Sequence, residues 1–228
     1  CALEKSADFA KPYMDTLYQW VEYLKKHGED PSEQLCTDDF AGHLAHNVNL
    51  SAKAIVGIES FSQILTLLGK ADEAKEYHAL AEKMAKSLEE RAFDTDHYTL
   101  TYGGKGTFSL KYNVVWDKFF GSNLFSKEFT EREIACYIKE CNEYGTPLDS
   151  RKDYTKSDWI LWATALTDDC DDRKKLIAPV AKFLKETNSR FPFSDWYETK
   201  EGCLRAFKGR SVQGGIFMPA FIDGNKCK

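Results

Sequence analysis

Apolar side chains recur every three to four residues along most of this chain, and two of the resulting stripes are separated only by Gly69-Lys70. Leu50, Ala54, Ile58, Phe61, Ile64, Leu65 and Leu68 form one face at helical spacing; Ala74, Tyr77, Ala81, Met84 and Leu88 form the next. Two amphipathic helices with so short a link bury their faces by folding back on each other, so an antiparallel helical hairpin is required. The same period runs through Tyr13, Leu17, Trp20, Val21 and Leu24 and stops at Gly28 and Pro31. Thr130-Glu131-Arg132-Glu133 has the form of a capping box and opens a fourth helix through Tyr144. A fifth is expected from Lys156 to Leu166, a sixth from Asp171 to Thr187 with a kink at Pro179, and a seventh through Val212, Ile216, Phe217 and Ala220. Thr95 to Tyr112, rich in Thr, Tyr and Gly, reads as a loop or one short strand pair. No Ser- or Pro-rich linker divides the chain, so residues 1–228 are expected to form one all-α domain of antiparallel hairpins with elaborate loops.

Charge and composition narrow the function. With 31 basic against 36 acidic side chains and only short basic clusters, the surface does not suit nucleic acid, whose binding rests on cations facing phosphates. No apolar run approaches the ~18 residues of a membrane span, and Cys1-Ala2-Leu3-Glu4-Lys5 shows no targeting signal. None of the seven cysteines falls in a C-x-x-C pair, which argues against a zinc ribbon or a thioredoxin-type site and for mostly free thiols. Leu68 to Ala74 with Tyr77 has the look of a tetratricopeptide fragment, but no second copy stands at the ~34-residue offset that array needs.

The informative residues lie between the helices. Three of the five tryptophans neighbour an aspartate, in Trp116-Asp117, Asp158-Trp159 and Asp195-Trp196, and Thr37-Asp38-Asp39-Phe40 repeats the pairing with Phe. An apolar ring beside a hydrogen-bond acceptor suits a polyhydroxylated or amino-acid-like ligand in a concave site; the alternative is core tryptophans beside helix-capping aspartates. Asp38 and Asp39 are read as carboxylates at the mouth of a helical pocket, acting as general acid or base. His43 and His46 follow, but their spacing is not H-E-x-x-H, and no metal or cofactor is expected. Asn49-Leu50-Ser51 is a glycosylation sequon placed at a helix start, and Asp168 to Asp172 reads as a helix-start cluster. With no G-x-S-x-G, S-x-x-K or P-loop, an enzyme built this way uses carboxylates.

These motifs resemble a known family. Thr37-Asp38-Asp39-Phe40-Ala41-Gly42-His43-Leu44 with Asn49-Leu50 and Lys53 is similar to the T-D-D-F-x-G-x-L-x-x-x-x-N-L segment of the glutaminase A family of fungi and gut-type bacteria. Lys111-Tyr112-Asn113-Val114-Val115-Trp116-Asp117-Lys118 resembles its K-Y-N-x-x-W-D-K, and Pro147 to Arg151 with Tyr154 to Trp159 its P-L-D-S-R…Y-T-K-x-D-W. Asp195-Trp196-Tyr197-Glu198-Thr199 with Phe207, Arg210, Val212 and Gly214-Gly215 resembles its last motif, although Lys208-Gly209 precedes Arg210 where that motif has Ala. The resemblance implies an (α/α)6-type toroid of six hairpins, like that of six-hairpin glycosidases, and secreted or periplasmic hydrolysis of the glutamine amide. A full toroid has twelve helices, so the chain is expected to be the C-terminal portion of a longer enzyme, partnered by the rest of its polypeptide and weak or inactive alone.

Three functions are therefore weighed. In the first, an amidohydrolase, Asp38 or Asp39 orients water, Arg151 or Arg210 holds the substrate carboxylate, and Lys53, Lys111 or Lys156 steadies developing negative charge. In the second, a glycoside hydrolase or carbohydrate-binding toroid, Asp38 or Asp39 pairs with Asp158 or Asp195, and Trp116, Trp159 and Trp196 stack on sugar rings. The third is a non-catalytic helical domain. Asn49, Lys53, Trp116, Asp117, Arg151, Lys156, Trp159, Trp196 and Arg210 are the expected substrate contacts around Asp38, Asp39, Asp158 and Asp195.

Overall fold

The central helix is apolar on nearly every side and therefore has to be covered on nearly every side. In a computed structural model, which describes residues 1–34, 41–189 and 193–226, this is α2 (Val48–Leu67), preceded by α1 (Met14–His27) and followed by α3 (Ala71–Ala92). Asn47 caps α2, its side chain accepting from the Leu50 amide at 2.8 Å. Gly69, at φ +78°, turns the chain so that α3 returns antiparallel, as the two-residue link demands. Ala74, Tyr77, Ala81, Met84, Ala85 and Leu88 of α3 are buried against α2. On the other flank Tyr18 of α1, Phe61 of α2 and Tyr77 of α3 meet edge to face, with centroids 4.9 Å apart in each pair. A β-carbon on Gly28 would stand 2.6 Å from that of Ala54, so the end of α1 approaches α2 where only glycine fits.

Phe93–Asp94 (β1) and His97–Tyr98 (β2) form the short strand pair after α3. The chain then enters a buried knot. The Lys111 ammonium, with no exposed surface, pairs with Glu133 at 3.0 Å and donates to the Tyr98 carbonyl at 2.7 Å. Tyr137 donates to Glu133 and accepts from the Lys111 amide. This fixes the 3-10 turn Tyr112–Val114 and the short helix α4 (Val115–Phe120), which the apolar periodicity did not separate from loop. Lys111 is accordingly a structural cation, not the stabiliser of reaction charge that its motif suggested.

The next helix, α5, spans Lys127–Lys139, one turn earlier than expected. Its cap is Ser126, whose hydroxyl accepts from the Phe129 amide, and Glu89 of α3 binds both the amide and the hydroxyl of Ser126 at 2.7 Å. The capping box read at Thr130 is thus corrected: its Glu133 faces inward to Lys111, and the reciprocal acid comes from another helix.

The last third is α6 (Ser157–Thr164), α7 (Cys170–Glu186), a 3-10 segment Ser211–Phe217 and α8 (Met218–Lys226). Asp169 caps α7 by accepting from the amides of Asp171 and Asp172, as the acidic cluster implied. Tyr154–Lys156 (β3) pairs antiparallel with Trp196–Glu198 (β4), placing Lys156 opposite Trp196. The described residues form a mostly helical protein with two two-stranded ribbons, and no described helix is long and apolar enough to cross a membrane.

Candidate active site

The β3–β4 ribbon brings two distant motifs into contact. Lys156, at the end of β3, is 1% exposed, and its ammonium lies 2.5 Å from Asp195 Oδ2 and 3.3 Å from Asp158 Oδ1. Asp195 immediately precedes β4; Asp158 lies in the first turn of α6, where the helix N-terminus favours a carboxylate. The guanidinium of Arg210, with its side chain one-third exposed, reaches Asp195 Oδ2 at 3.3 Å and lies over the Phe207 ring. Two buried carboxylates therefore share one ammonium, and one of them also holds an arginine that faces solvent.

Aromatic rings wall this cluster. The Lys156 ammonium lies 4.6 Å from the Trp159 ring centre, and Trp159 stacks on Tyr112 at 4.4 Å with ring planes 5° apart. Trp196 packs edge to face on Tyr154 and against Phe207. A β-carbon on Gly215 would stand 2.8 Å from Trp162 Nε1 and 2.9 Å from Asp158 Cβ, so the Ser211–Phe217 turn lies directly on the site. Gln213 of that turn accepts from the Ser157 hydroxyl at 3.1 Å.

Three buried carboxylate oxygens, Asp158 Oδ1 and both of Asp195, lack a hydrogen-bond partner among the described residues. Of these, Asp158 Oδ1 meets the charge of Lys156, and Asp195 Oδ2 those of Lys156 and Arg210. Burial raises the Asp158 carboxyl above the ordinary aspartate range, against the opposing pull of Lys156. Such orphaned acceptors in a native interior commonly mark a functional site.

Other expected contacts fall elsewhere. Asp117 is buried and accepts from the amides of Leu124 (3.0 Å) and Phe125 (3.2 Å), so its carboxylate organises its own loop. Arg151 embraces Asp149 with two donors, at 2.6 and 3.0 Å, and donates to the Ala41 carbonyl. Asn49 is fully buried, which removes it as a glycan acceptor, and contacts Asn113. Lys53 and Trp116 line an apolar groove beside α2. Trp116 reaches the cluster through Trp162, edge to face at 5.1 Å. His46 binds Asp30. Asp38 and Asp39 lie outside the described residues. Gly215 belongs to the last of the motifs, whereas Trp162 and Gln213 carry no motif signal of their own; Trp162 is one helical turn from Asp158, a spacing that shares a face and signals its place.

Comparison with known proteins agrees with the motif resemblance. Residues 1–220 match the family described as the glutaminase A six helical-hairpin domain. A protein of Aspergillus oryzae named Glutaminase A is 32% identical over 220 residues, covering 93% of this chain and 32% of its own length. A protein of Arthroderma benhamiae named as a probable glutaminase is 30% identical over a 258-residue alignment, covering 97% of this chain and 30% of its own length. The chain thus spans about a third of the length of these relatives.

Proposed function

The chain belongs to the glutaminase A six-hairpin family, and on that premise we propose that its Lys156 cluster contributes to hydrolysis of the side-chain amide of glutamine or a related amide. The observation that carries this reading is the pair of buried carboxylates gathered by one ammonium, each with an unsatisfied oxygen. Asp158, with its raised pKa, takes a proton from water as the water oxygen bonds to the amide carbon. Lys156 supplies fixed positive charge beside the oxyanion that forms. The proton then passes from Asp158 to the amide nitrogen, the C–N bond breaks, and ammonia and a carboxylic acid leave. Arg210 pairs with the substrate's own carboxylate, oriented by Asp195 from below. Asp38 and Asp39 are the alternative bases, and Trp159 and Trp196 are walls that exclude water. Secreted or periplasmic location belongs to the same proposal.

The glycosidase reading fits this pair less well. Because both carboxylates contact Lys156, their oxygens lie at most about 6 Å apart, near the separation of a retaining pair. A retaining pair, however, leaves the gap open for the glycosidic oxygen, and here an ammonium occupies it.

The test is release of ammonia from L-glutamine, and of phenol from aryl glycosides, by the natural full-length polypeptide carrying this chain. Ammonia release, with KM raised at least tenfold by Arg210→Gln, is the expected result. Phenol release alone would overturn the proposal.

A further inference from the structure

Beside α2 runs an apolar trough that the chemistry above does not use. Its first hollow, about 620 Å3, is lined by the end of α1, by Leu50, Ala54 and Gly57 of α2, and by Trp116 and Phe120 of α4. That is a volume suited to drug-sized ligands, about 300–1,000 Å3. Ser60 and Phe120 also border a second hollow of about 440 Å3, which continues to Ile64, Leu67 and Phe119. From Leu50 to Leu67 the path along α2 is roughly 25 Å at 1.5 Å per residue.

Charge along the trough is one-sided. Among the described residues no Asp or Glu lines the first hollow; its basic side chains there are Lys53 and His27. Lys53 is exposed and has no ion pair or hydrogen bond with any described residue. Of the acids next to the end of α1, Glu29 accepts from Ser87, and Asp30 holds His46 and Arg91. Among the described residues, Glu4 is an acid that borders the trough, by the second hollow. A cation with no counter-ion among the described residues, beside a long apolar floor, matches one ligand chemistry.

We infer that this trough binds an apolar monocarboxylate, with the carboxylate at Lys53 and the hydrocarbon laid over Ala54, Gly57 and Trp116 toward Ser60. The assignment stands apart from the amidase reading, because it needs neither Asp158 nor Arg210.

Calorimetric titration of the chain with decanoate, decanol and decylamine tests it. Decanoate is expected to bind about threefold more tightly than decanol, and decylamine more weakly than either. Lys53→Met, which keeps the apolar stem, should erase the decanoate–decanol difference while decanol still binds. Ser60→Trp, which blocks the junction of the two hollows, should weaken decanoate but not hexanoate. Asp158→Asn should leave all of these values unchanged. Absence of decanoate binding, equal affinity for the alcohol, or a preference that survives Lys53→Met would overturn the inference.

Discussion

At the scale of single residues, two buried lysines do different work. Lys111 closes a satisfied knot with Glu133, Tyr137 and the Tyr98 carbonyl, whereas Lys156 joins two carboxylates that retain unsatisfied oxygens. Removing Lys156 leaves buried Asp158 uncompensated and Asp195 with Arg210 alone, so Lys156→Met should cost on the order of 3–5 kcal/mol in urea unfolding; a loss under 1 kcal/mol would mean that the carboxylates are hydrated. Cysteine reactivity gives an independent check on burial. Burial pushes the Cys136 thiol up to about 12, while Cys170 is exposed at the start of α7. Iodoacetamide should therefore modify Cys170 in the native protein and Cys136 only after denaturation, which mass spectrometry of the labelled peptides would decide.

Among the elements, helices were legible wherever an apolar stripe ran uninterrupted, as in α1, α2, α3 and α7. The hairpin of α2 and α3 followed from Gly69-Lys70 because a two-residue link leaves no other geometry. Caps were less legible, since a cap depends on what else can satisfy the first amides. Thr130-x-x-Glu133 satisfies the local rule, but Glu133 is drawn into the core by Lys111, and Ser126 caps the helix with help from Glu89, 37 residues upstream. Ser126→Ala should cost about 1 kcal/mol and Thr130→Ala less than about 0.5 kcal/mol in thermal unfolding. The reverse order would restore the local capping box.

At the scale of the whole molecule, the candidate site depends on contacts that no local pattern contains. Lys156 and Asp195 meet because β3 and β4 pair across the intervening α6 and α7, and Arg210 arrives from the segment before the last 3-10 turn. Motif resemblance gathered these residues into one list, but not into one geometry. Asp117 and Arg151 belonged to the same motifs, yet their carboxylate and guanidinium are spent on local loops. The aromatic surplus of the sequence is likewise divided, with Trp159 and Trp196 at the carboxylates and Trp116 on the trough.

Asp158 is the residue on which the proposed chemistry turns, and its protonation sets a sign for pH. Because burial raises its pKa, the native state keeps this proton to higher pH than the unfolded chain. Asp158 therefore subtracts stability as pH rises from the ordinary aspartate range through its native value, while the base form needed for turnover grows in over the same interval. The decisive measurement is kcat for ammonia release from L-glutamine against pH, in the natural full-length protein and in Asp158→Asn. The account predicts an acid limb above the ordinary aspartate range and a kcat lowered by about 10²–10⁴-fold in the variant, with melting temperature retained. A variant within threefold of the parent, with the same acid limb, would contradict it.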